Sequence, residues 1–124
     1  MLMKKIRTTV EKTRTGYSAF ADTVPVFTTG DTLRELTHNM VEALRFYYNN
    51  PKVTERNLEI RFSIPSFFDL YPINIRQFAS RIEMNYTLLS HYVQGRKVPS
   101  SKQANRILEG LREMGEELTL VTFR

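Results

Sequence analysis

Hydrophobic and polar positions follow two rhythms along this 124-residue chain, alternation near its start and helical spacing further on. Ile6, Thr8 and Val10 alternate with Lys5, Arg7, Thr9 and Glu11, which predicts a strand with one buried face. Lys12 to Gly16 reads as a turn. Tyr17 to Ala21 and Val24 to Thr28 read as two further short strands, separated by Asp22-Thr23 and ended by Thr29-Gly30. A helix follows: Thr32 and Glu35 fit the S/T-x-x-E capping box, and Leu33, Leu36, Met40, Val41, Leu44 and Tyr48 trace an apolar stripe towards Asn49-Asn50-Pro51. Residues 58 to 64 alternate again, with Leu58, Ile60, Phe62 and Ile64 on one side, until Pro65 ends the run. The order β-β-β-α-β permits a crossover connection, so the last strand can lie parallel to one of the first three.

Ser66 to Pro72 predicts a short helical or irregular connector, in which Phe67, Phe68 and Tyr71 imply a packed joint. Helical spacing then takes over. Phe78, Ala79 and Ile82 form one apolar stripe, Glu83-Met84-Asn85 a turn with Asn85 as N-cap, and Leu88, Leu89, Tyr92 and Val93 a second stripe. Tyr86, Thr87, Ser90, His91 and Gln94 face outward. Gly95 stands where a left-handed residue ends a helix, and after Pro99-Ser100 residues 101 to 114 resume a helical pattern. Two short helices about a tight turn, a basic loop and a third helix are the layout of a DNA-reading helix-turn-helix.

Charge sharpens this. Within 74 to 106, Arg76, Arg81, Arg96, Lys97, Lys102 and Arg106 face only Glu83, a local net of +5 that equals the excess of the whole chain. Phosphate neutralisation needs such a face. The groove-facing set is Tyr86, Thr87, Ser90 and His91; Arg76, Arg96, Lys97 and Lys102 are assigned to phosphates, with Asn85 and Ser100 as neutral donors and Gln77 included beside Arg76. The tail Glu117 to Arg124 has the composition of a strand, with Leu118, Leu120, Val121 and Phe123. Pairing with a second chain across a twofold axis, docking on its own N-terminal sheet and fraying are its three options, and the first suits a dimeric DNA binder. The expected state is a homodimer or higher even oligomer.

Composition excludes several classes. No apolar run reaches the roughly 18 to 20 residues of a membrane span, and the start Met1-Leu2-Met3-Lys4-Lys5-Ile6 lacks the apolar core of a signal peptide. With no cysteine there is no disulfide, thiolate nucleophile or cysteine-based zinc site, which points to a reducing cytoplasm. His38 and His91 lie on separate helices without acidic partners at ligand spacing, so neither metal nor cofactor is expected. The glycines make no phosphate loop.

The segments Gly16-Tyr17-Ser18-Ala19-Phe20, Asp22 to Pro25, Thr29-Gly30-Asp31-Thr32-Leu33 and Glu42-Ala43-Leu44, in this order before a helix-turn-helix, resemble HicB-type antitoxins. The resemblance covers nearly the whole chain. It implies an α+β protein: a partial RNase H-like toxin-binding domain over 1 to 64, a connector over 65 to 73, and an all-α DNA-binding and dimerisation domain over 74 to 124 with a possible C-terminal strand. It also implies two partners, operator DNA and a HicA-type RNA-cleaving toxin. Where family members often carry glycine-cysteine after the proline, Pro25 is followed by Val26-Phe27.

An RNase H-like fold raises the question of catalysis, because two-metal cleavage needs converging carboxylates. Glu11, Asp22, Asp31, Glu35, Glu42, Glu55 and Glu59 are spread over turns, a cap and exposed strand positions, so no enzyme is expected. Ser90 and His91 point about 100° apart on a helix and cannot form a nucleophile-base pair. The alternative function is a stand-alone transcription regulator whose N-terminal domain senses a ligand or oligomerises.

Overall fold

The computed structural model describes residues 5–124 and divides into two compact units, one ending at Ser66, the other spanning Phe67–Arg124. The protein is mixed α+β. The reading of Met1 to Lys4 lies outside the described residues.

In the first unit β1 (Ile6–Lys12), β2 (Tyr17–Ala21), β3 (Phe27–Gly30) and β4 (Leu58–Arg61) form one sheet in the order β3-β2-β1-β4. β2 is antiparallel to β1 and β3, while β4 runs parallel to β1 with Ile6 opposite Leu58. The crossover between β3 and β4 contains α1 (Leu33–Tyr48). Thr32 Oγ1 accepts from the Glu35 N–H at 3.1 Å and starts this helix. Asn49, at φ 49°, ends it, with the Asn50 N–H donating back to Arg45 O at 3.0 Å. Leu36, Met40, Val41 and Leu44 of α1 meet Ile6, Val10, Ala19, Ala21, Val26 and Leu58 in one core. Each of these leucine, isoleucine, valine and methionine side chains, removed from water, contributes about 1.5–3 kcal/mol. The other sheet face carries Phe20 opposite Phe27, an Arg7–Glu59 ion pair at 3.7 Å, and Asp22, which accepts from Thr9 Oγ1 at 2.7 Å and pairs with Arg61 at 3.3 Å.

Strand boundaries differ from the sequence reading, by one residue at Lys12, which joins β1 instead of the turn, and by more in the third and fourth strands. The third strand starts at Phe27, not Val24, because residues 22–26 form the hairpin loop: Ala21 N–H donates to Val26 O at 2.9 Å and Val26 N–H to Val24 O at 2.8 Å. Pro25 has no N–H to give a ladder. Thr29 and Gly30 therefore belong to the strand instead of ending it. Gly30 backs onto the first turn of α1, where a Cβ would stand 2.6 Å from Leu36 N. The fourth strand stops at Arg61, and Ile64 opens α2 (Ile64–Leu70) with Pro65 in its first turn, where the missing N–H costs nothing. Ser63 Oγ accepts from the Ser66 N–H at 3.2 Å there.

The second unit holds α3 (Ile75–Arg81), α4 (Tyr86–Val93) and α5 (Ser101–Leu118). Phe78, Ala79, Met84, Leu89, Tyr92 and Ile107 are its buried apolar residues. The Phe67 ring packs on Phe68 and Tyr71, and Phe68 lies against Phe78 with centroids 5.9 Å apart. Gly110 is buried, and α3 and its turn come so close there that a Cβ would collide with Ile82 Cγ2. The third helix of the sequence reading thus runs four residues further, through the exposed Gly115.

Among the described residues the expected C-terminal strand does not form. Leu120 N–H donates to Glu117 O at 2.9 Å and Val121 N–H to Leu118 O at 3.3 Å, so helical turns continue where extended chain was expected, and the tail pairs with no described strand. Strand composition alone does not make a strand without a neighbouring edge.

Candidate nucleic-acid interface

Three caps set the geometry of α3, α4 and α5. Asn74, Asn85 and Ser100 accept from the N–H groups of Gln77, Leu88 and Gln103 at 3.0, 3.1 and 3.2 Å. Asn85 Oδ1 is thereby occupied, leaving its amide as donor; the Ser100 hydroxyl still has its proton to give. Between α3 and α4, Met84 N–H bonds Ala79 O at 2.9 Å and Glu83 N–H bonds Ser80 O at 3.2 Å, closing a Schellman turn with Glu83 at φ 56°. The same pattern ends α4: Gly95 has φ 77°, and Arg96 N–H and Gly95 N–H donate to His91 O and Tyr92 O at 2.9 and 3.2 Å. The turn is also tied from behind, since Arg106 Nη2 on α5 donates to Ile82 O at 2.5 Å and Glu83 O at 2.9 Å.

These bonds sort the cations. Arg106 holds the turn, and Arg81 is ion-paired with Glu117. Arg76, Arg96, Lys97 and Lys102 are exposed and in no ion pair among the described residues. These are the four that the sequence assigned to phosphates. Arg76 stacks on Tyr86, its guanidinium carbon 4.1 Å from the ring centroid, a cation–π contact that bridges α3 and the start of α4. Gln77 is exposed beside it.

The groove-facing set divides. Tyr86 and Thr87 are exposed. Ser90 and His91, expected to face fully outward, are half-buried, and Ser90 Oγ accepts from Gln94 Nε2 at 3.3 Å. They lie towards the seam that buries Leu89 and Tyr92, so the exposed arc of α4 is narrower than the polarity of its residues suggested. No sequence pattern points to the Arg76–Tyr86 stack, which joins residues ten positions apart across a turn, or to the inward role of Arg106.

In the first unit Pro25, Phe27, Phe46 and Tyr47 border a shallow hollow beside Glu42, and Phe46 is 91% exposed. Among the described residues there is no group of histidines and acids able to hold a metal, and no helix long and apolar enough to cross a membrane. Compared with models of known protein families, with curated proteins and with solved structures, the chain gives no match.

Proposed function

We propose that the protein is a DNA-binding antitoxin of the HicB type, with a helix-turn-helix in its second unit and a partial RNase H-like toxin-binding domain in its first. The observation that carries the DNA reading is the sorting of the cations. Of six arginines and lysines in 74–106, Arg81 and Arg106 are engaged by Glu117 and by the carbonyls of the turn, while Arg76, Arg96, Lys97 and Lys102 are exposed and in no ion pair among the described residues, Arg76 beside the start of α4, Arg96 and Lys97 in the loop after it and Lys102 in the first turn of α5. In this reading α4 enters the major groove, Tyr86 and Thr87 meet base edges, and the four cations with Asn85 and Ser100 hold phosphates. Two copies, as a homodimer or higher even assembly, would engage half-sites about one helical turn apart.

The toxin arm is supported by the resemblance and by the aromatic surface of Phe27, Phe46 and Tyr47, since exposed aromatics mark protein contacts. Its target is a small RNA-cleaving toxin of the HicA type, and its setting the cytoplasm. A binding role, not a catalytic one, is supported by the engagement of Asp22, Glu42 and Glu59 in separate ion pairs with Arg61, Arg45 and Arg7.

Selection of duplexes from a random pool by the full-length protein tests the proposal. A recurring motif, bound at least about tenfold more tightly than random DNA, is the expected result. Enrichment of no sequence, with affinity indifferent to salt, would overturn it.

A further inference from the structure

Of the four exposed cations around α3 and α4, Arg76 is held differently from the rest. Its guanidinium carbon lies 4.1 Å from the centroid of the Tyr86 ring, whereas among the described residues Arg96, Lys97 and Lys102 touch neither a ring nor a carboxylate. A phosphate contact needs only charge, which a mobile lysine supplies as well. A planar guanidinium laid on a ring does something more, because it orders two side chains at once.

The stack orders the start of α4. Tyr86 is the first residue of that helix and 39% exposed, and its hydroxyl has no hydrogen-bond partner among the described residues. Successive helical residues stand about 100° apart, so with Leu89 and Tyr92 buried and Thr87 exposed, Tyr86 lies at the margin of the exposed arc. Arg76, reaching over from α3, fixes which way a ring at that margin lies. The two helices are themselves held together by the Met84 and Glu83 bonds of the turn and by Arg106 behind it.

We propose that Arg76 is a positioning residue for sequence discrimination: by stacking on Tyr86 it holds the tyrosine ring and hydroxyl towards a base edge, and so shapes the choice of base as well as neutralising a phosphate. This role rests on the DNA reading above and is additional to it. An exposed cation–π contact favours the stacked position of the ring about two- to fivefold, which sets the size of the effect.

The test titrates variants on the duplex selected by the full-length protein, on duplexes with each base pair replaced in turn, and on random DNA. Tyr86→Leu should lower discrimination at one base pair at least about fivefold. Arg76→Lys keeps the charge and loses the plane, so it should leave the salt slope unchanged and lower discrimination at that same base pair about two- to fivefold. Arg76→Ala should show the same loss of discrimination with a slope smaller by about 0.9. Once Tyr86 is leucine, Arg76→Lys should cost nothing further. Without DNA, the Arg76 side-chain protons should resonate upfield in the ring current of Tyr86, a shift that Tyr86→Leu removes. Absence of that shift, undiminished discrimination in Arg76→Lys, or losses that add in the double variant would overturn the proposal and leave the DNA reading standing. Failure of the unaltered chain to prefer any sequence would overturn both.

Discussion

Glu83 holds a left-handed backbone at φ 56°, a conformation that costs a residue with a Cβ about 1 kcal/mol. Its carbonyl accepts from Arg106, a bond that any residue there would keep. Glu83→Gly is accordingly expected to raise the free energy of unfolding by about 0.5–1 kcal/mol in urea titrations, with DNA affinity unchanged. A fall would mean that the glutamate side chain itself supports the turn. Thr87 carries the sharpest test of base reading, being exposed and without a side-chain hydrogen bond among the described residues. Thr87→Ala should cost on the order of 1–3 kcal/mol on the selected site and little on random DNA. Ser90→Ala should cost less, because that hydroxyl is half-buried and already bonded to Gln94. Equal losses on both DNAs would remove Thr87 from the groove. Gly95 and the caps Thr32 and Asn85 were legible because their residue types announce their backbone geometry, whereas nothing in the sequence marked Asn74 and Ser100 as caps and nothing about a glutamate announces φ 56°.

At the scale of elements, α5 contains two glycines that sequence cannot tell apart. A Cβ at Gly110 would stand 2.4 Å from Ile82 Cγ2 and 3.2 Å from Phe78 Cζ, and at Gly115 it would meet nothing within 4 Å. Alanine gains about 1 kcal/mol over glycine in a helix interior, and overpacking a core costs about 1–3 kcal/mol. Gly115→Ala should therefore raise the melting temperature and Gly110→Ala lower it; shifts of the same sign would show that α3 and α5 are not held this close. The helices α1, α3 and α4 could be read in advance because each has an apolar stripe and a capping residue. β3 was misplaced by three residues because Val24 and Val26 look like strand while Pro25 forces a loop. The tail was misread for a related reason: Leu, Val, Thr and Phe suit a strand, yet the helix ahead of it continues turning through Val121.

For the whole molecule, the formal net charge of +5 is an incomplete guide, since the second unit contributes only +2 once the acids of α5 are counted. What matters is separation. Ser100 and Lys102 lie at the start of α5, Glu113, Glu116 and Glu117 in its last turns, so the unit is basic at one end of this helix and acidic at the other. DNA affinity should then depend on local cations and not on net charge. Removing two phosphate contacts by Arg96→Ala with Lys97→Ala should lower the slope of log K against log salt by about 1.8, at about 0.9 per contact. Glu113→Gln with Glu116→Gln changes net charge by the same amount in the opposite sense, but those side chains are far along α5 from Lys102 and should leave the slope unchanged. Fluorescence anisotropy over a salt series separates the two. An unchanged slope in the arginine–lysine variant would take Arg96 and Lys97 off the phosphates, and an equal and opposite change in the glutamine variant would show that net charge, not the arrangement around α4, governs binding.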